Sequence, residues 1–264
     1  MCIRDSNEQG PSFLYQNFDG RFVDRAVEYG VDDARQNGRG TALADILYDG
    51  RLGIIIGNWN GYHRAYVPAR HSFLDYATEA FREPSLVRTV ISADFDNDGF
   101  DEIFFNNIGQ PNRMFRVRDG GVLEPVALSA ALEADGLGTG AAVADINGDG
   151  VLDLLVAHGE SAPQPLSLFR AAIDGPGRYL RIAPLTGQGA PARGATVILE
   201  TDMRVHAKTI DAGSGYLCQM EPVAHYGLRD GETVKSVKVR WTDGTETGLG
   251  EMAENKTHII RKDG

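Results

Sequence analysis

Asp94-Phe-Asp96-Asn-Asp98-Gly99-Phe-Asp-Glu102 and Asp145-Ile-Asn147-Gly-Asp149-Gly150-Val-Leu-Asp153 write the same acidic loop twice. Each places oxygen-bearing side chains at positions 1, 3, 5 and 9 and a glycine at position 6, then runs into Ile103-Phe-Phe or Leu154-Leu-Val. A hard divalent cation such as calcium takes six to eight oxygen ligands in a flexible cage, and alternate residues of a tight loop point inward to supply them. Carboxylates packed this closely repel one another unless a cation neutralises them. The spacing therefore predicts two calcium sites. One uses Asp94, Asp96, Asp98 and Glu102 with the backbone carbonyl of Phe100; the other uses Asp145, Asn147, Asp149 and Asp153 with the carbonyl of Val151. Asp101 is the alternative to Glu102.

An EF-hand begins in the same way, but it needs a bidentate glutamate at position 12 and helices on both sides. Position 12 is Phe105 in one loop and Val156 in the other, both inside apolar runs that read as buried strands. A single such loop could equally be a metal-free Asp/Gly-rich hairpin turn. Two copies in matching context favour the metal.

The repeat extends beyond the loop. A third copy, Thr41-Ala-Leu-Ala-Asp45-Ile-Leu-Tyr-Asp49-Gly50-Arg-Leu-Gly53, precedes Ile54-Ile-Ile. Its position 3 is Leu47 and its position 9 is Gly53, so only Asp45 and Asp49 remain, a weak or lost site. First positions 45, 94 and 145 lie 49 and 51 residues apart, and Asn58, Asn107 and His158 each follow by thirteen. A strand, acidic loop, strand, turn, strand unit of this length has the size of a propeller blade, which cannot bury both faces alone.

These motifs resemble the FG-GAP/VCBS repeats of integrin-α-like β-propellers, in which calcium sits in a hairpin loop at the blade edge. The resemblance covers roughly residues 15–172 and implies about three blades. Three are fewer than the four to eight that close a typical propeller, so the expectation is an incomplete propeller, a fragment without its N-terminal blades. Met1-Cys-Ile-Arg-Asp-Ser6 is neither a signal peptide nor a recognisable strand, and residues 1–14 read as a non-native or disordered N-terminus.

After residue 172 the loops stop. Short β-rich runs at 179–182, 195–199, 205–210, 234–241 and 257–260 predict a separate small antiparallel β-sandwich over 178–264, joined by a linker at 171–177. Within it, Gly189-Ala-Pro-Ala-Arg193-Gly194, Gly213-Ser-Gly215-Tyr216, Glu221-Pro222-Val-Ala-His225-Tyr-Gly227-Leu and Trp241-Thr-Asp243-Gly244 are similar to the ASPIC/UnbV domain. That domain following VCBS-type repeats is the order of the cartilage acidic protein family. Phe104-Phe-Asn-Asn107, Pro111-Asn-Arg113, Gly138-Thr-Gly140 and His158-Gly-Glu160-Ser resemble the family's C-terminal half. The Trp-Thr-Asp-Gly turn departs from the usual Trp-Pro-Asp-Gly, which alters turn stiffness more than chemistry. The resemblance implies secretion, matrix or cell-surface association and adhesion-like roles.

The formal charge of −11 without a basic stripe argues against nucleic acid, and no apolar run approaches a membrane span. Cys218 reads as a half-buried inert thiol unless Arg193 or His225 lies beside it. His158, Glu160, Glu221 and His225 supply acid–base chemistry only if they converge in one cleft, and no nucleophile elbow, zinc-binding or phosphate-binding motif is present. The sequence thus predicts a non-enzymatic, calcium-binding extracellular scaffold for an unknown protein or glycan partner. The alternative is a carbohydrate-active propeller or its glycan-binding module, with Trp59, Tyr62 and Tyr66 as a sugar-stacking platform.

Overall fold

The computed structural model describes residues 2–5, 7–159 and 162–263, and the side chains from residue 7 onward within those ranges. Four antiparallel sheets come first: β1 (Cys2–Asp5), β2 (Phe13–Phe18) and β3 (Arg21–Asp24); β4 (Gly38–Ala44), β5 (Gly53–Asn58), β6 (Arg64–Pro68) and β7 (Phe73–Asp75); β8 (Val87–Ala93), β9 (Glu102–Asn107), β10 (Arg113–Arg118) and β11 (Val122–Val126); then β12 (Gly138–Ala144), β13 (Asp153–His158) and β14 (Ser167–Arg170). Each of the last three opens on an inner strand, turns through an acidic loop, and pairs consecutive strands in order. The protein is all-β and its first part is a β-propeller.

The apolar runs after the loops are the second strands of their sheets, and their period-2 alternation feeds both faces. Ile55 enters the core shared by the β4–β7 and β8–β11 sheets, while Ile54 and Ile56 turn the other way, toward Leu14, Ala26 and Tyr66. Ile103 and Phe105 join Ile55, and Phe104 faces the next sheet with Leu154 and Val156. Such runs bury both faces only because another sheet lies on each side.

The residues thirteen positions after each loop start share one task. Asn58 Nδ2 donates to Tyr62 O, Asn107 Nδ2 donates to Pro111 O, and His158 Nδ1 bonds Pro165 O, closing the turn to the third strand. His63 Nδ1 accepts from Asn58 N, and its Nε2 meets Ser85 Oγ, which donates to Asn107 Oδ1, so the turns of two sheets are wired together.

The second part consists of β15 (Arg178–Leu185), β16 (Thr196–Thr201), β17 (Val205–Thr209), β18 (Ala224–Leu228), β19 (Val234–Arg240), β20 (Glu246–Gly250) and β21 (Thr257–Arg261). They form two sheets, ordered β18-β15-β21 and β17-β16-β19-β20, closed over Leu180, Val197, Leu199, Tyr226, Val237 and Trp241. Among the described residues no helix is long and apolar enough to cross a membrane.

Three expectations need correction. Four meander sheets precede residue 171 among the described residues, one more than three blades supply, because β1–β3 carry no acidic loop to announce them. Cys2–Asp5 is a strand paired with β2 rather than disordered; a backbone ladder needs no apolar signature. The sandwich is not wholly antiparallel, since β15 and β21 run parallel, the chain having crossed the whole domain before returning.

Two measurements test this architecture. Phe105 is fully buried against Phe81, Phe115 and His63, so Phe105→Ala is expected to cost about 3–5 kcal/mol in urea unfolding. Burial, and then the nearby Arg113 charge, push the His63 pKa down from 6.5 to about 3. The unfolded chain therefore binds this proton as pH falls below 6.5 while the fold refuses it, and His63 withdraws stability between 6.5 and 3. The stability of His63→Gln is expected to depend less steeply on pH in that window, by on the order of 1 kcal/mol per pH unit.

Candidate metal centre

Each acidic loop starts where an inner strand ends, and its first aspartate turns inward beneath the turn. In all three copies one oxygen of that aspartate accepts from the N–H of the position-6 glycine: Asp45 from Gly50 at 2.8 Å, Asp94 from Gly99 at 3.0 Å, and Asp145 from Gly150 at 3.0 Å. Those glycines have φ of +84°, +85° and +84°, the left-handed region that a glycine enters without strain.

In the second loop, oxygens of Asp94, Asp96 and Glu102 lie within 4.8 Å of one another. Asp94 is 1% exposed, and its Oδ1 is buried with no hydrogen-bond partner among the described residues. Glu102 Oε2 accepts from Phe95 N at 3.1 Å, and Asp98 Oδ1 from Phe100 N at 2.9 Å. Arg116, directly across the ladder from Glu102, reaches over the loop to Glu102 Oε1 at 2.6 Å, to Asp98 at 3.3 Å and to Asp96. Arg118 adds a contact to Asp98 at 3.8 Å. Four carboxylates thus face two guanidinium groups, and two formal negative charges are left over. Burial, followed by neighbouring carboxylates, pushes Asp94 up to about 7 and Glu102 up to about 9. The loop is short of positive charge, the kind of deficit that a divalent cation neutralises.

Asp101 is not a substitute for Glu102. Its side chain leaves the loop for Lys208 Nζ at 2.7 Å and Ser92 Oγ at 3.2 Å. Burial opposes its charge, but Lys208 and His206 hold the carboxyl well below the usual range.

The third loop is more open. Asp145 Oδ1 is again buried and unpartnered among the described residues, with Asp153 Oδ2 accepting from Ile146 N at 3.0 Å. Asn147 is exposed and donates to Asp149 at 2.7 Å, while Val151 N donates to Asp149 Oδ1 at 3.0 Å. Arg170, opposite Asp153, repeats the placement of Arg116, at 3.1 Å from Asp153 and 3.5 Å from Asp149. The first loop differs in kind. Both oxygens of Asp45 are taken by N–H groups, Asp49 pairs with Arg51, and a side chain at Gly53 would strike the Tyr66 carbonyl at 2.4 Å.

What the spacing did not reveal is that the sandwich lies on these loops. Ala207 N donates to Asp45 Oδ2 at 3.0 Å, Gly227 N to Asp94 Oδ2 at 3.0 Å, and Arg181 to Asp145 Oδ2. Asn97 bonds Gly150 O at 2.8 Å, Pro176 O at 2.6 Å and His225 Nε2 at 2.6 Å, tying the second loop to the third, to the linker and to the sandwich. Arg204 joins the Gly99 carbonyl, the Gly227 carbonyl at 2.7 Å and Glu232 at 2.9 Å. Glu221, which the spacing leaves outside any metal loop, accepts from Asp145 N at 3.1 Å and pairs with Arg181. A basic residue between the apolar Leu180 and Ile182 was the signal for Arg181, whereas the place of Arg116 opposite position 9 came only with the strand register.

The acid–base candidates do not meet in one cleft. His158 is held between Pro165 O and Glu133, His225 by Asn97, and Glu221 by Arg181; Glu160 lies outside the described residues. The aromatic platform is dispersed: Tyr66 is buried, Trp59 is flanked by Arg39 and Arg88, and Tyr62 is 56% exposed. Burial pushes the Cys218 thiol up, and Arg193 is engaged by Asp211 O and Gln219.

Acidic-loop blades carrying a sandwich define a class, an FG-GAP-type propeller joined to an ASPIC/UnbV domain. Residues 72–156 match the family described as FG-GAP-like repeat, and residues 186–264 match ASPIC and UnbV. The chain belongs to the cartilage acidic protein family. It is 48% identical to cartilage acidic protein 1 of Mus musculus over 96% of this chain and 41% of the relative. It is 52% identical to that of Homo sapiens over 90% and 38%, and 50% identical to that of Xenopus tropicalis over 90% and 39%. The chain thus spans about two fifths of the length of the curated relatives it matches.

The junction itself is testable. Arg204 and Glu232 are 2% and 0% exposed at their side chains. Arg204→Met is expected to destabilise by about 3–5 kcal/mol, since it strands a buried carboxylate. Arg204→Met combined with Glu232→Leu is expected to recover part of that loss in urea unfolding.

Proposed function

We propose that this chain is a calcium-binding, non-enzymatic extracellular scaffold that presents its surface to a protein or glycan partner. The buried Oδ1 of Asp94, without a hydrogen-bond partner among the described residues and beside Asp96 and Glu102, carries the reading, because such an oxygen costs free energy until a ligand takes it up. Asp94, Asp96, Asp98 and Glu102 with the Phe100 carbonyl would hold one ion. Asp145, Asn147, Asp149 and Asp153 with the Val151 carbonyl would hold a second. The ion supplies charge neutralisation and stiffness, and binding only the folded loop stabilises the fold by mass action. Kinship with cartilage acidic proteins supports an extracellular location, and the engagement of His158, Glu221 and His225 in fixed hydrogen bonds supports a binding rather than a catalytic role.

Calcium titration by calorimetry, with melting curves in calcium and in chelator, tests the reading. About two sites are expected, with a higher melting temperature in calcium. Asp96→Ala is expected to remove one site and Asp149→Ala to weaken the other, while Asp49→Ala leaves the stoichiometry unchanged. Absence of calcium binding to the wild-type chain sinks the proposal.

A further inference from the structure

The first aspartates are used twice over. In each loop the oxygen that accepts from the loop's own glycine also accepts from the sandwich: Asp45 from Ala207 of β17, Asp94 from Gly227 of β18, and Asp145 from Arg181 of β15. The partner oxygens are not alike. Asp45 Oδ1 accepts from Asp49 N at 3.2 Å, whereas Asp94 Oδ1 and Asp145 Oδ1 are buried with no hydrogen-bond partner among the described residues. One carboxylate of each of the second and third loops therefore has an oxygen committed to the sandwich and an oxygen left for a ligand.

We propose that the acidic loops are the seat of the C-terminal sandwich and that divalent-cation binding and seating form one coupled equilibrium, with the first loop a cation-independent anchor. The proposal rests on the calcium reading of the second and third loops. A cation on the free oxygen fixes the carboxylate plane and relieves repulsion among Asp94, Asp96 and Glu102, so the opposite oxygen stays aimed at Gly227. Without the cation these carboxylates gain by separating, and the acceptor that Gly227 and Arg181 need is turned away from them. The first loop has no such dependence, because backbone N–H groups already hold both oxygens of Asp45. Cation loss should then loosen β18 and β15 from the propeller while β17 stays docked. Coupling is reciprocal, so a change on the sandwich side must alter cation affinity.

Gly227 provides that change. Its N–H leaves the sandwich for Asp94, and it lies in a strand without left-handed φ, yet a Cβ there would sit 2.2 Å from Asp94 Oδ2 and 2.5 Å from Asn97 Cα. Gly227→Ala keeps the backbone conformation and pushes the two parts away from each other.

Residue-resolved amide exchange on the whole chain, in calcium and in chelator, is the decisive experiment. Chelation is expected to speed exchange at Gly227 by at least tenfold, with Ala207 and the β16–β19 ladder unchanged. Gly227→Ala is expected to weaken calcium binding at one site by at least tenfold, although residue 227 is no ligand. Calcium binding by calorimetry with unchanged Gly227 exchange overturns the coupling and leaves the calcium reading standing. Loss of protection at Gly227, Ala207 and β16–β19 together also overturns it, because the cation then stabilises the fold as a whole. Failure to bind calcium removes the calcium reading and the coupling with it. The exchange experiment on the wild-type chain decides the matter even if Gly227→Ala does not fold.

Discussion

Asp94 is almost wholly buried, and its Oδ2 accepts two N–H donors, one from the turn it closes and one from a different domain. A carboxylate in that position couples local turn geometry to long-range packing, since neither donor can be lost without leaving a buried charge undersolvated. The same arrangement recurs at Asp45 and Asp145, so the three loops present a row of anionic sockets rather than three independent turns. The sandwich meets that row with backbone N–H groups and with arginine and lysine side chains. The junction is therefore polar and directional, unlike the apolar cores on either side of it.

Arginines take up much of the charge of the loops. Arg116 and Arg170, each opposite position 9 of its loop, and Arg181 and Arg204 from the sandwich offset it only in part. Guanidinium forks suit carboxylates and remain charged throughout the physiological range. Burial, followed by neighbouring carboxylates, raises the pKa values of Asp94 and Glu102 in the second loop, where Asp94, Asp96 and Glu102 converge. Asp101, two residues along from Gly99, has the opposite fate because Lys208 stands beside it. Two aspartates in one loop thus diverge according to which cation the tertiary structure brings near.

The sequence by itself determined the repeating unit. Short continuous apolar runs after each loop read as strands buried on both faces, the glycine at position 6 requires a left-handed turn, and the 49- and 51-residue spacing requires like units side by side. It also set the first loop apart, because Leu47 and Gly53 stand where the other two loops carry oxygen-bearing side chains. These features are legible because they are local: steric limits, side-chain period and ligand chemistry act within a few residues. Strand β18 and the N-terminal strand β1 were not legible, since Ala-His-Tyr-Gly-Leu and Cys-Ile-Arg-Asp become strands through the partners they meet.

Only the tertiary structure decided what stands on the loops. That Gly227 donates to Asp94, that Asn97 joins two loops to His225, and that Glu221 sits beside Asp145 are contacts across 133, 128 and 76 residues. A single sequence fixes the composition of such sites but not which distant N–H or guanidinium completes them. The pairing depends on the path of the linker and on which faces the two cores leave outward, and it is settled when the domains pack.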